Sequence, residues 1–286
     1  MQKITLEQSQ VILADALALF AKWCEANGLR CFLAYGTLLG TMRNAGFIPW
    51  DDDVDVWMVR EDLERMKSLE PPSGLRVLFP EDTGHTWFFT KVCVTHTNFV
   101  ESNIDLNFPY GVYIDVFPLD KIPVRFGKLH FEIVQHLANA HRRAYVYTNP
   151  PKRKGLKRLI NPLMTRITRL IGASSYQKAI DKCINCVNEK SDSDTVACFF
   201  TPYSYECETQ GLEALLASEY AVFCGNEFMV PRNPQAHLAK LYGRDWNIPI
   251  RRHNPNHGTA FLDDGWTVET ICSMLRNSAG ILANEE

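Results

Sequence analysis

The sequence predicts a mixed α/β protein, and three patterns support this fold class. Leu6 to Trp23 carry apolar side chains near helical spacing behind a capping box at Thr5, which predicts a first helix that Gly28 ends. Residues 53–58 alternate in the period-two pattern of a strand. From 129 to 190 the pattern becomes helical, so strands and helices share the chain.

The other elements are placed in order by apolar spacing and by glycine and proline. The proline pair at 150–151 and the Asn161-Pro162 pair interrupt the helical region, the latter as N-cap and first residue of a new helix. The remaining predicted elements are a buried strand at 31–35, a short helix at 38–44, a helix around 61–69, strands near 75–79, 87–94 and 111–117, and a helix around 234–242 before a polar, proline-rich tail after 245.

Length and composition indicate a folded protein with room for more than one structural unit. The 286 residues are 46% hydrophobic and 22% charged, which argues against disorder and coiled coil. We expect a catalytic core over residues 1–128, a helical, basic insertion over 129–190, and a return to the core with a substrate-side segment over 191–286.

Charge is balanced overall but uneven along the chain. Thirty Lys and Arg face 33 Asp and Glu, which argues against a nucleic-acid partner. Between Ile133 and Ile180, however, there are ten basic residues and no acidic one. The amphipathic segment 152–171 within this stretch suits either peripheral contact with a membrane or a core-packed helix with a solvated basic face.

The expected location is cytoplasmic, with the inner face of the membrane as a peripheral site. No signal-peptide core and no run of 18 apolar residues is found, and an odd count of nine scattered cysteines suits reduced thiols.

The acidic run Asp51-Asp52-Asp53-Val54-Asp55 is the strongest chemical signal in the sequence. Strand alternation would place Asp51, Asp53 and Asp55 on one face, where carboxylates repel each other unless cations neutralise them. Carboxylate oxygens suit Mg²⁺ or Mn²⁺, and we expect two ions. A solvated acidic turn, a calcium loop and a glycosyltransferase motif fit less well.

Two further signals support phosphate chemistry. Tyr35-Gly36-Thr37 lies between a strand and a helix, where backbone N–H groups face phosphates. Asp115 stands alone within an apolar strand, where an ionised carboxylate needs a partner. A Gly-Thr turn, an Asp-x-Asp and a third strand aspartate together are the arrangement of the nucleotidyltransferase fold.

Three segments resemble the LicD-type phosphotransferases, a family that includes phosphocholine transferases and fukutin-related ribitol-phosphate transferases. They are Leu33–Val56 (LAYGTLLGTMRNAGFIPWDDDVDV), Tyr113–Asp120 (YIDVFPLD) and Tyr242–Pro249 (YGRDWNIP). The resemblance implies metal-dependent transfer of a phospho-alcohol from a CDP-linked donor to a hydroxyl of a cell-surface glycan or its lipid-linked precursor, with release of CMP.

Residue roles follow from the positions of these motifs. Metal binding and catalysis are implied for Asp53, Asp55 and Asp115, with Asp115 also assisting deprotonation of the acceptor. Contacts to substrate are implied for Gly36, Thr37, Arg43 and Lys91 and assigned to Asp51, while His253 and His257 lie either at the donor or in a solvated loop.

Two other function classes remain open. One is a nucleotidyltransferase that attaches a nucleotide to a small molecule and releases pyrophosphate. The other is a glycan-binding protein without catalysis. The sequence does not specify the transferred alcohol.

Overall fold

The computed structural model describes residues 1–82, 87–101, 110–145, 157–250 and 257–283, with the side chains of 145 and 157–161 left aside. The strands in these ranges are β1 (Gln2–Lys3), β2 (Cys31–Leu33), β3 (Val54–Val59), β4 (Leu75–Leu78), β5 (Thr90–Val94), β6 (Thr97–Glu101), β7 (Tyr113–Lys121), β8 (Thr195–Ala197), β9 (Gln210–Gly211), β10 (Glu219–Phe223), β11 (Asn226–Val230) and β12 (Gly258–Leu262). The helices are α1 (Leu6–Ala26), α2 (Tyr35–Asn44), α3 (Arg60–Met66), α4 (Gly127–Tyr145), α5 (Lys157–Ile171), α6 (Ala173–Lys190), α7 (Tyr205–Glu208), α8 (Leu212–Leu216), α9 (Pro234–Tyr242) and α10 (Val268–Leu282).

A mixed sheet forms the centre of the fold, which confirms the α/β class. Its strands run in the order β2-β3-β7-β5-β4, with β3 and β7 parallel and the other neighbours antiparallel. The carboxyl half of β7 also pairs with β8, which pairs with β9. A smaller sheet of β1, β12 and β6 and the β10–β11 hairpin complete the strands described here.

The middle strands are buried on both faces. Val54, Val56, Trp57 and Met58 of β3 are fully buried, although the alternating pattern left Trp57 on the polar side. A central strand covered by helices on both sides has no solvent face, and each large apolar side chain buried there contributes about 1.5–3 kcal/mol.

Helix α1 begins as the sequence predicts. The Thr5 hydroxyl accepts a hydrogen bond from the Gln8 N–H, and the Gln8 side chain accepts one from the Thr5 N–H. The helix packs along α10 and reaches β7.

Two predicted boundaries near the acidic run are wrong. Helix α2 starts at Tyr35 rather than at Leu38, so the Gly36-Thr37 pair lies inside its first turn. Strand β3 starts at Val54, so Asp51 and Asp53 precede it and only Asp55 obeys strand alternation. The repulsion between neighbouring carboxylates favours this more open backbone.

Two predictions in the second half of the chain are also wrong. Helix α5 runs from Lys157 to Ile171 with Pro162 inside it, rather than starting at Asn161. The expected tail after 245 contains β12 and α10, where Thr267 and Thr270 form a capping box. Among the described residues, no helix is long and apolar enough to cross a membrane. The three-part domain division stays a prediction.

Candidate active site

Two of the predicted carboxylates are direct neighbours across β3 and β7. Asp55 stands opposite Asp115 in the parallel register of these strands. Adjacent strands lie about 4.8 Å apart, so side chains in register project from the same face at close range. The sheet itself therefore holds this pair of acids together.

The loop before β3 adds three more aspartates to this pair. Gln10 anchors the loop by donating from Nε2 to the Asp51 carbonyl at 2.8 Å. Asp53 lies only two residues before Asp55, and its charge raises the pKa of both Asp55 and Asp115. Asp53, Asp55 and Asp115 thus lie in one region, whereas the three ligand atoms found within 4.8 Å of one another among the described residues belong to Asp52, Asp53 and His257. That the three predicted acids share one ion stays a prediction.

Burial and mutual repulsion make this cluster costly to ionise. Burial raises the pKa of Asp55 well above its usual range, and repulsion from Asp53 and Asp115 adds to the shift. Burial and repulsion from Asp53 likewise raise the pKa of Asp51 to about 8. Burial raises that of Asp115 to about 6 although Lys91 opposes the shift. A set of crowded carboxylate oxygens fits the ligand preference of Mg²⁺ or Mn²⁺.

Lys91 lies inside the site rather than at its rim. It stands opposite Asp115 on β5, is 1% exposed, and donates from Nζ to Asp115 Oδ1 at 2.7 Å. The ring centroid of Tyr113 lies 3.3 Å from the ammonium and that of Trp87 lies 5.5 Å away. Lys91 therefore fixes the orientation of Asp115, and the predicted contact of Lys91 with substrate stays a prediction.

Glu101 is an acid that the sequence reasoning missed. Its Oε1 lies 3.9 Å from Lys91 Nζ, at the end of β6. Burial raises its pKa, with Lys91 opposing the shift. A single glutamate at a strand end carries no pattern that would have identified it.

His257 meets the acidic loop directly. Its backbone N–H donates to Asp52 Oδ2 at 2.8 Å, and its Nδ1 lies 2.7 Å from Asp52 Oδ1 and 3.4 Å from Asp53 Oδ2. The hydrogen bond to Asp52 is the main cause that raises the pKa of His257 to about 9. One ligand atom from each of these three residues lies within 4.8 Å of the others. His253 lies outside the described residues.

The amino terminus of α2 faces the acidic loop at Gly36. A Cβ atom at this position would stand 2.8 Å from Asp51 Oδ2, which is closer than van der Waals contact allows. The close approach of the loop to the helix therefore requires glycine at this position. The Thr37 hydroxyl accepts a hydrogen bond from the Asp55 N–H at 2.9 Å, which ties the first turn of α2 to β3. Thr37 thus has a positioning contact in addition to its predicted phosphate role.

Arg43 belongs to the other end of α2. Its Nε donates to Asn44 Oδ1 at 3.0 Å in the last turn. About six residues of helix, or roughly 9 Å, separate it from Thr37. Its contact with substrate stays a prediction.

Replacing Gly36 by alanine should lower turnover of a CDP-linked donor, the substrate that the family resemblance implies, with little effect on the free energy of unfolding. The new Cβ displaces the Asp51 carboxylate, which can swing away, so we expect about a tenfold loss of turnover and a change in unfolding free energy below about 1 kcal/mol. Steady-state kinetics and urea unfolding measure the two effects. Gly280→Ala in α10 is the matched control, since no atom lies within 4 Å of its added Cβ. Equal turnover in both variants would contradict the close approach.

A buried polar network of Tyr35, Thr201 and Glu208 contacts the first residue of α2. Tyr35 adopts a positive φ of 39°, and its hydroxyl donates to Glu208 Oε2 at 3.0 Å. Its ring contacts those of Trp57 and Phe117 edge-on, with centroids 4.9 and 5.2 Å away. The Thr201 hydroxyl also donates to Glu208. The network holds a strained backbone position next to the Gly36 turn.

The Glu208 carboxyl should make stability fall as pH rises. Burial raises its pKa to about 7, above its value of 4.5 as a free group, so the folded state retains a proton that the unfolded state loses. Its contribution is fully present below about pH 4.5 and is lost by about pH 7, a change of up to about 3 kcal/mol.

Urea unfolding of the wild type and Glu208→Gln across about pH 5 to 8 isolates this effect, because the site acids cancel in the difference. The advantage of the wild type should shrink as pH rises. A difference independent of pH would contradict the assignment.

Comparisons with known proteins agree with the family resemblance of the sequence motifs. An α/β sheet that gathers aspartates from two parallel strands and the preceding loop defines a carboxylate-centred site of the kind expected for the LicD motifs. Residues 28–147 match the family model described as "LicD/FKTN/FKRP, nucleotidyltransferase domain". This match confirms the resemblance to the LicD family over this part of the chain.

Two curated proteins are similar to this chain. The lipopolysaccharide cholinephosphotransferase LicD of Haemophilus influenzae is 24% identical over 266 residues, which cover 90% of this chain and 97% of that protein. Mannosyltransferase regulator 4 of Saccharomyces cerevisiae is 29% identical over 117 residues, which cover 38% of this chain and 10% of that protein.

Proposed function

We propose that this protein transfers a phospho-alcohol group from a CDP-linked donor to a hydroxyl of a glycan and releases CMP. The observation that carries the proposal is the convergence of Asp53, Asp55 and Asp115 from a loop and two strands. The similarity to a cholinephosphotransferase along almost the whole of both chains supports the same class of reaction.

Divalent cations are part of this proposal. Asp53, Asp55 and Asp115 would hold Mg²⁺ or Mn²⁺, and two ions are expected. When bound, such ions offset the negative charge of a diphosphate and stabilise the leaving phosphate. The crowded carboxylates and their raised pKa values support this fit.

The chain's own residues provide positioning and proton transfer. The first turn of α2 lies next to the acidic loop at Gly36, and its N–H groups, at the amino terminus of a helix, suit the donor phosphates. Lys91 holds Asp115 by its Oδ1 atom, so we assign to Oδ2 both of the proposed roles of Asp115, holding a cation and assisting deprotonation of the acceptor hydroxyl. Lys91 supplies positive charge inside the cluster, next to Asp115, and His257 supplies it next to Asp52.

The transferred alcohol is proposed only as a class. Phosphocholine, phosphoethanolamine and polyol phosphate are the candidates, and the relative from Haemophilus influenzae favours phosphocholine. The name of that relative also favours lipopolysaccharide as the acceptor.

A panel of donors tests the proposal. The full-length protein is incubated with CDP-choline, CDP-ethanolamine or CDP-ribitol, a glycan acceptor, and Mg²⁺ or Mn²⁺, and the nucleotide products are measured. CMP with a phosphodiester on the glycan supports the proposal. Pyrophosphate released from a nucleoside triphosphate would instead indicate the nucleotidyltransferase alternative. Glycan binding without turnover of any donor would indicate the binding protein.

A further inference from the structure

Helix α5 presents an apolar face to solvent in the described part of the chain. Leu170 is 87% exposed and Leu163 is 59% exposed, far above what an amphipathic helix shows when it packs in a core. Three more apolar side chains of the same helix are exposed, namely Met164, Ile167 and Ile171. The neighbouring helix α4 adds exposed Leu129 and Ile133 to the lobe.

Among the described side chains of α5, only Thr168 is buried, and it is polar. Thr168 is 3% exposed, and its hydroxyl donates to the Thr165 carbonyl at 2.9 Å. At 100° per residue the exposed apolar arc spans roughly 120°, and its centre points about 130° away from the two threonines. The helix therefore turns its apolar face outwards, and the core-packed alternative for this segment is wrong where the side chains are described.

The positive charge around α5 indicates which kind of partner its exposed apolar face binds. Arg166 and Arg169 are exposed beside the apolar arc, and the stretch from 134 to 179 holds ten basic residues and no acidic one. A second copy of the chain would bring two such stretches together and would be repelled. A surface that is apolar in depth and anionic at its boundary satisfies both features, and an anionic lipid bilayer has this composition.

We propose that α5 docks the protein on the surface of an anionic bilayer. The docking surface consists of Leu163, Met164, Arg166, Ile167, Arg169, Leu170 and Ile171. The apolar side chains enter the boundary between headgroups and acyl chains, while the two arginines meet lipid phosphates.

The helical lobe connects this surface to the acidic site. Helix α4 packs against α5 and α6, and at its far end the Arg142 guanidinium lies 5.8 Å from the centroid of the Trp87 ring. Trp87 in turn contacts Lys91. Docking would hold the site close to a membrane, where a lipid-linked glycan is available. This last step rests on the proposed function, whereas the docking itself does not.

Vesicle co-sedimentation of the full chain tests the docking. Vesicles of phosphatidylcholine with about one quarter phosphatidylglycerol should bind the protein at about 50 mM salt, and phosphatidylcholine alone should bind much less. Ile167→Ser and Leu170→Ser should each weaken binding about tenfold. Arg166→Gln and Arg169→Gln should each weaken it about fivefold. Val222→Ser on β10, an exposed valine outside the lobe, is the matched control and should bind as the wild type does.

Several outcomes would overturn the docking proposal. They are failure of the wild type to bind anionic vesicles at low salt, and equal binding by Leu170→Ser and Val222→Ser. A dimer in sedimentation velocity that Leu170→Ser dissolves would assign the face to a second copy instead. CMP release from a soluble donor should stay within about twofold in these variants, so a failure of docking is distinguishable from a failure of the proposed reaction.

Discussion

Replacing Asp55 by asparagine should lower CMP release by about a thousandfold while making the fold more stable. Asp55 lies opposite Asp115 at the centre of the proposed cation site. The asparagine lacks the negative charge of this ligand, and no other carboxylate of β3 stands opposite Asp115. Stability should rise by about 1 kcal/mol, because burial among like charges disfavours the Asp55 carboxylate, whereas a buried amide carries no charge.

Turnover of a CDP-linked donor and urea unfolding measure the two effects in the same preparation. The exposed Asp192→Asn is a matched control that should change neither quantity. Turnover of Asp55→Asn above about a tenth of the wild-type rate would contradict the role of this carboxylate. A loss of both turnover and stability would indicate a structural role instead.

Replacing Asp120 by alanine should destabilise the fold by about 3–4 kcal/mol. Asp120 is 1% exposed and receives two hydrogen bonds from Arg60, at 2.8 and 2.9 Å, and one from Asn188 at 2.7 Å. Its removal takes the buried carboxylate from Arg60, which keeps, among the described residues, only an ion pair with the half-exposed Glu64 at 3.6 Å, and it removes the hydrogen bond that Asn188 of α6 donates to this side chain of β7. Breaking one side of a buried ion pair is far more harmful than losing a surface pair.

Urea unfolding gives the free-energy change directly. Asp264→Ala is the control, since that exposed carboxylate pairs with the amino terminus and its removal should leave the free energy of unfolding nearly unchanged. A cost below about 1 kcal/mol for Asp120→Ala would mean that Arg60 finds another partner or reaches water.

The sequence motifs identified the residues of the candidate site but did not predict how they are arranged. The spacing of Asp53 and Asp55 and the lone Asp115 in an apolar strand identified three acids that the fold gathers. Strand alternation, by contrast, placed Asp51 and Asp53 in β3, whereas both precede it. Local patterns report burial and charge, but the parallel pairing of β3 with β7 depends on contacts about sixty residues apart along the chain.

Long-range support of the site was not predictable from local patterns. Glu208 reaches Tyr35 across 173 positions in the sequence, and His257 reaches Asp52 across 205. Neither Glu208 nor His257 belongs to a local sequence pattern from which its partner could be predicted. The apolar stripe of α5 was visible in the sequence, but its periodicity is the same whether the stripe faces a core or a membrane.

Binding of Mn²⁺ to the full-length protein, followed by electron paramagnetic resonance, tests most directly whether the carboxylates of β3, β7 and the preceding loop act as one cation site. The wild type should bind Mn²⁺, and Mg²⁺ should compete. Asp55→Asn and Asp115→Asn should each weaken binding at least about tenfold, with Asp192→Asn unchanged. Equal Mn²⁺ affinity in the wild type and in both site variants would show that these side chains do not share an ion.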